Sequence, residues 1–334
     1  MTRVSRNLLF SLLLGMLLLA GLALYADVSD LSASMLAFDW VWLPAVLALT
    51  LGNYLLRYVK WHSYLGCLDL AVPRGPSALV FLSGLLLSVT PGKLGELLKS
   101  ALLKESYAVP VTTSAPIVFA ERLTDFLALV LLSLFGVASS GYGVAVVVAT
   151  AATMAVILLF LASRRLSLGT IRLIEKVPVV GRVARKLEEL YESVSRLIRP
   201  WPLFWTTLLS TAGWFLECVG FWIVLNGFPG VTAGLGEATF IYAFATIFGA
   251  VTMLPGGLFA TEGSMVGLLQ TVFRIVPVAA TASAATLLIR FCTLWFAVLV
   301  GAVAFGLYRR WRRRQGQAVA ALTALDAPDR AERP

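Results

Sequence analysis

"VTPGKLGELLKS", residues 89–100, follows directly on "SALVFLSGLLLS", residues 77–88, and the junction decides how the chain is read. An apolar run fit for the interior of a bilayer gives way, over residues 91–99, to a proline, two glycines, two lysines and a glutamate. Proline removes a backbone donor and glycine leaves the helix cheaply, so the helix is expected to break here. Lipid offers nothing to the freed backbone groups, so such a break is tolerated only where protein or a wet cavity supplies their hydrogen bonds. A broken helix in an apolar chain therefore predicts a site.

The rest of the chain sets that break in a membrane. Of 334 residues, 59% are hydrophobic and only 13% charged, with a mean hydropathy of +0.87, too apolar for a soluble core to hide. Runs near 8–25, 41–60, 114–138, 142–162, 203–226 and 279–307 each approach the roughly 20 residues that cross a hydrocarbon slab. The reading is an all-α polytopic membrane protein with about six transmembrane helices. Two more apolar stretches, 78–104 and 238–272, are each interrupted by a Pro-Gly pair and read as broken or re-entrant hairpins. The first run, preceded by Arg3 and Arg6, is longer than the core of a cleaved signal peptide and reads as a signal anchor.

Several chemistries are excluded early. Cys67, Cys218 and Cys292 stand far apart, without disulfide or metal spacing, and a single histidine, His62, rules out HExxH zinc chemistry. There is no G-x-S-x-G elbow, and "TPGKLG" lacks the upstream glycine of a P-loop. Neither a metal nor a cofactor is expected. An enzyme is the less favoured class, with catalysis by carboxylates alone left open. The net charge of +9 does not point to nucleic acid, because the bases are distributed by topology. Arg3 and Arg6, Lys60 and Arg74, the bases of 163–200 and "YRRWRRRQ" (308–315) fall on one side, and the acidic loops 26–40 and 227–237 on the other. Both termini are expected in the cytoplasm. Within 163–200, Val183, Leu187, Leu190, Val194 and Leu197 recur at helical spacing and predict an amphipathic connector, while 309–334 reads as a basic, disordered cytoplasmic tail.

The second break explains the first. "GNYLLRYVKW" (52–61) aligns glycine on glycine and tryptophan on tryptophan with "GWFLECVGFW" (213–222). Each is followed by a Pro-Gly turn, "TPGKLGE" (90–96) or "LPGGLFATE" (254–262), and then by an intramembrane arginine, Arg122 or Arg290. Gly52 to Pro91 is 39 positions and Gly213 to Pro255 is 42. Two units, about 41–139 and 203–307, would then lie in opposite sense across the bilayer, an arrangement many transporters share. Pro91, Gly92 and Gly95 would shape one turn, with Thr90 as cap, and Pro255, Gly256 and Gly257 the other.

Charge inside these units marks candidate binding residues. Lys93 at a half-helix N-terminus would favour an anion, although Lys93 and Lys99 also fit a reading in which they snorkel to headgroups. Glu96 has a counterpart in Glu262. "FAERLTDFLALVLL" (119–132) puts Glu121, Arg122 and Asp125 in one span, where each charge costs roughly 2.5–3.5 kcal/mol at the bilayer centre. They must face protein or water, as must Glu217 and Arg290. The simplest neutralisation consistent with the repeat pairs Arg122 with Glu96 and Arg290 with Glu262. His62, beside Trp61 and Tyr64, reads as interfacial.

"TPGKLGELLKS", "ERLTD" and "LPGGLFATEGSMVGLL", in that order, resemble the membrane region of the lysylphosphatidylglycerol synthase family, flippase-like integral membrane proteins. The resemblance spans about residues 8–308 and matches Pro91, Gly92, Gly95, Glu96, Glu121, Arg122, Asp125, Pro255, Gly256 and Glu262 to the family's polar signatures. It implies a flippase-like transmembrane domain over 1–308 and a role in moving aminoacylated, hopanoid or polyprenyl-linked lipids between leaflets. No stretch here has the size of the soluble domain that attaches lysine to phosphatidylglycerol, so synthase activity is not expected. Phe259 departs from the small residue expected in the second motif.

The expectation is a lipid transporter of the bacterial inner membrane, with Lys93, Glu96, Glu121, Arg122, Asp125, Glu262 and Arg290 meeting an anionic phospholipid or polyprenyl-linked lipid. A lipid-modifying enzyme, or a scaffold for a lipid synthase or glycosyltransferase partner, is the alternative.

Overall fold

The computed structural model describes residues 27–90, 95–140 and 194–325, with single residues at 148 and 152. Every described element is helical. The apolar runs at 8–25 and 142–162, most of the connector 163–200, and Pro91, Gly92 and Lys93 lie outside the described residues.

The first described helix, α1 (Val28–Ala37), lies in a segment expected as an outer loop. Asp27 caps it by accepting the Ser29 N–H at 3.0 Å, a local bond that a hydropathy scan does not see. A short 3-10 turn over Trp40–Trp42 leads into α2 (Leu43–Cys67), which starts on Pro44 in its first turn. The two helical stretches meet at 66°.

Next come α3 (Arg74–Gly84), extended by a 3-10 turn to Leu87, then a break, and α4 (Leu98–Tyr107). At about 1.5 Å per residue, neither half could cross roughly 30 Å of hydrocarbon alone. The long α5 (Val111–Ser140) follows, and α6 (Pro200–Asn226) opens the second half. There α7 (Leu235–Val251) breaks at a turn around Pro255–Gly257 and resumes as α8 (Ala260–Gly267). Both sequence-expected breaks are therefore present. α9 (Ala279–Arg290) passes through a π-turn over Phe291–Trp295 into α10 (Phe296–Leu325). That helix extends to Leu325 through residues expected as a disordered tail.

Among the described residues, two helical stretches are long and apolar enough to span a membrane, Pro200–Asn226 and Ala279–Gln315. The bent pair α1–α2 makes three if counted as one span.

Two large apolar cores, with a small third around Tyr54, Leu85 and Ala297, organise the bundle. One gathers Val46 of α2, Leu129 and Leu132 of α5, Phe221 of α6, Ile241 of α7 and Ile289 of α9. The other gathers Trp61 and Tyr64 of α2, Phe81 of α3, Leu103 of α4, Ile117 of α5 and Tyr308 of α10. Along α2 the first core comes first and along α5 it comes last, so the two helices run in opposite directions between the same two clusters. Between the clusters both helices carry ions.

Candidate functional site

The polar layer begins on α2. Thr50, Asn53, Arg57, Lys60 and Tyr64, spaced three and four residues apart, share one helix face, and all are buried. Lys60 is fully buried, not a flank of the span: its Nζ donates to Asp125 Oδ1 at 2.6 Å and to Ser210 Oγ at 2.7 Å. This overturns its expected place among the topology-marking bases. A lysine seven residues before a helix end looks like a headgroup anchor only until a carboxylate is found beside it. Trp61 and Tyr64 are likewise core residues and not interfacial ones, each wholly buried. His62 faces Ser77 Oγ at 3.3 Å.

From the first break, Glu96 and Lys99 point into this layer. The half-helix start expected at Pro91 lies outside the described residues. The Thr90 hydroxyl accepts the Gly95 N–H at 2.7 Å, and α4 starts at Leu98. A Cβ at Gly95 would stand 2.4 Å from Leu87 Cβ, so the residue must lack one for the chain to fold back on itself. Lys99 does not snorkel. It is buried, bonded to Glu121, and its Nζ sits 4.8 Å from the centre of the Trp61 ring.

Helix α5 supplies Glu121, Arg122 and Asp125. Arg122 Nη2 reaches Glu96 Oε2 at 3.1 Å and Asp125 Oδ2 at 3.0 Å. In the second half, Arg290 donates Nε to Glu262 Oε1 and Nη2 to the Gly256 carbonyl, both at 2.6 Å. Both cross-helix ion pairs anticipated from the sequence are thus formed. Gly256 (φ 62°) and Gly257 (φ 69°) take the left-handed backbone that presents this carbonyl. Phe259 also has a positive φ, 67° with ψ −46°, near the rare γ-turn conformation that an L side chain resists. The position flagged as unexpectedly large is the strained one.

Glu217 of α6 is engaged by the Asn53 amide and by the Tyr242 hydroxyl, the latter at 2.6 Å. Tyr54 donates its hydroxyl to the Thr293 carbonyl at 2.8 Å. Asn53, Tyr54, Arg57, Lys60 and Tyr242 were missed by sequence reasoning, although the spacing of the α2 stripe carried the signal.

These groups surround a cavity of about 260 Å³. Arg57, Glu96, Arg122 and Asp125 line it from α2, the first break and α5, Gly256, Gly257 and Arg290 from the second break and α9, and Tyr54, Trp214, Glu217 and Tyr242 complete the lining. Glu121, Lys60, Lys99 and Glu262 stand behind this lining and hold it through the ion pairs already given. No group of His, Cys, Asp and Glu suited to a metal ion occurs among the described residues. The cavity offers guanidinium donors and carboxylate acceptors within a membrane-type bundle, the equipment for holding a charged, hydrated group away from lipid.

Comparison with known proteins places the chain in a family. Residues 9–301 match the family described as lysylphosphatidylglycerol synthase TM region, and the chain belongs to that family. A UPF0104 membrane protein of Methanothermobacter thermautotrophicus is 30% identical over 142 residues, 39% of this chain. The match spans 40% of that protein's length.

Proposed function

We propose that this member of the lysylphosphatidylglycerol synthase TM region family moves a lipid headgroup between leaflets through the ion-lined cavity, while the acyl chains stay in the membrane. The observation that carries this reading is the layer itself. Five cations and five carboxylates, counted over the residues just described, meet midway along apolar helices around an open space. Placing so many charges at membrane depth costs far more than packing apolar side chains in their place. A purely structural layer has no need of the hole.

The reading includes an inverted repeat of two units, and the contact between α2 and α6 supports it. The two equivalent glycines lie at that contact: a Cβ at Gly52 would meet Leu216 at 3.0 Å, and one at Gly213 would meet Asn53 at 2.7 Å. Each unit also has a break followed by a Glu–Arg pair, Glu96 with Arg122 and Glu262 with Arg290. In this scheme the breaks at Pro91, Gly92 and Gly95 and at Pro255, Gly256 and Gly257 enter from opposite leaflets. Lys93, Arg122 and Arg290 supply the positive side of the path, and Glu96, Glu121, Asp125 and Glu262 the negative side. The protein resides in the inner membrane with both termini in the cytoplasm, and its substrate is an anionic phospholipid or polyprenyl-linked lipid.

Translocation of a headgroup-labelled phospholipid in proteoliposomes tests the reading. Arg122→Ala and Glu262→Gln should abolish translocation while the purified protein stays folded. Wild-type rates in both variants would remove these residues from the path. A chemically altered lipid after incubation would point to an enzyme instead. Co-purification of a synthase or glycosyltransferase, with neutral substitutions at Glu96 and Arg122 tolerated, would point to a scaffold.

A further inference from the structure

Three guanidinium groups line the cavity, and each has five N–H donors to place. Arg290 spends Nε on Glu262 and Nη2 on the Gly256 carbonyl. Arg122 donates Nη2 to Glu96 and lies in ion-pair range of Asp125 Oδ2 at 3.0 Å. Arg57 differs from both: it makes no hydrogen bond among the described residues. Its nearest carboxylate oxygen, Glu96 Oε1, lies 3.7 Å from Nη2, beyond hydrogen-bonding reach. Its Nε is buried without any partner, and the residue is only 8% exposed.

The pairing of charges around it leaves Arg57 over. Lys60 holds Asp125 at 2.6 Å, Lys99 holds Glu121, and Arg122 holds Glu96 at 3.1 Å. Each carboxylate of this wall has a closer cation than Arg57. Glu217, from α6, is engaged by Asn53 and Tyr242. A guanidinium taken out of water without hydrogen bonds is costly, and native structures seldom leave one so. Its planar fork suits the paired oxygens of a phosphate, which no lysine would grip in the same way. The Nε of Arg122, which shares Glu96 with Arg57, is likewise buried and unpartnered.

We infer that Arg57 is the anion anchor of the cavity, its unspent donors, with Nε of Arg122, taking the phosphate of a phosphodiester headgroup. This rests on the headgroup-transport reading and assigns its first contact to a residue outside the three family motifs. Arg290 then acts mainly as a brace of its wall, through Glu262 and the Gly256 carbonyl, while Arg122 braces Glu96 through Nη2 and leaves Nε for the anion.

The test is calorimetric titration of the full-length protein in maltoside micelles with dihexanoyl phosphatidylglycerol, with dihexanoylglycerol, and with inorganic phosphate. Wild-type protein should bind the phospholipid and ignore the phosphate-free diacylglycerol. Arg57→Gln should weaken phospholipid binding by about tenfold or more, and Arg57→Lys should recover only part of it, since an ammonium keeps the charge but lacks the fork. Arg312→Gln, at a distant pair with Glu105, should bind as wild type. Phosphate binding that depends on Arg57 supports the anchor and, where it rivals the phospholipid, names a free anion as its source. Unchanged phospholipid binding in Arg57→Gln, or none in the wild type, overturns the inference. Should Arg57→Gln fail to fold, Arg57→Lys decides on the same criterion. Translocation assayed in parallel separates the two readings: Arg57-dependent binding without translocation sinks the transport function alone, and translocation unaffected by Arg57→Lys and Arg57→Gln sinks the anchor alone.

Discussion

The two walls of the cavity solve the same electrostatic problem differently. On the α2–α4–α5 side, four cations and three carboxylates are cross-linked, so that Glu96 is approached by Arg57, Lys99 and Arg122 together. On the α8–α9 side one pair, Arg290 with Glu262, does the work, braced by a carbonyl from a turn with positive φ at Met253, Gly256, Gly257 and Phe259. The first wall is redundant at Glu96, where losing one link leaves two others, although Asp125 leans most closely on one lysine, Lys60 at 2.6 Å. The second is singular and holds its turn in an unfavourable backbone. A redundant web suits a frame, and a single latch on a strained turn suits a part that moves.

Three substitutions can break or sharpen this contrast. The largest effect is expected for Lys60→Met, which leaves Asp125 short of a buried partner. Removing one member of such a pair costs about 3–5 kcal/mol, read as a large fall in the thermal midpoint of the detergent-solubilised protein. A fall no greater than that of a surface variant would mean that the web shares charge more freely than its distances suggest. Glu262→Gln should cost less in stability, about 1–3 kcal/mol, because Arg290 keeps the Gly256 carbonyl and an amide oxygen. Its loss of translocation should nevertheless be complete. A variant that still transports would remove the latch from the cycle. Phe259→Gly is the smallest and has the opposite sign. Relieving the positive φ should stabilise by about 1 kcal/mol, and Phe259 is exposed enough that little packing is lost. Greater stability with slower transport would show that the turn stores strain for use. Greater stability with an unchanged rate would make it incidental.

What the sequence disclosed follows from how local each signal was. Pro-Gly pairs and charges inside apolar runs are local and carry their own cost, so both breaks and both Glu–Arg pairs were legible in "TPGKLGE", "ERLTD" and "LPGGLFATE". The α2 stripe was not read, because Lys60 falls where an apolar run ends and so mimics a headgroup anchor; α2 continues to Cys67, and only its partners on α5 and α6 show that Lys60 is inside. The spacing of Asn53, Arg57, Lys60 and Tyr64 would have raised the question. Lys99 was left open between snorkelling and binding, since nothing in sequence tells whether Trp61 lies above it. Helix α1 escaped because its acidic, mixed composition reads as loop until the Asp27 cap is seen.

The two apolar clusters have a mechanical corollary. Each draws on side chains that the other does not: Phe81, Leu103 and Tyr308 belong to one, and Phe221, Ile241 and Ile289 to the other. A substitution that loosens one cluster should therefore leave the side chains of the other packed, so damage at one end of the bundle stays at that end.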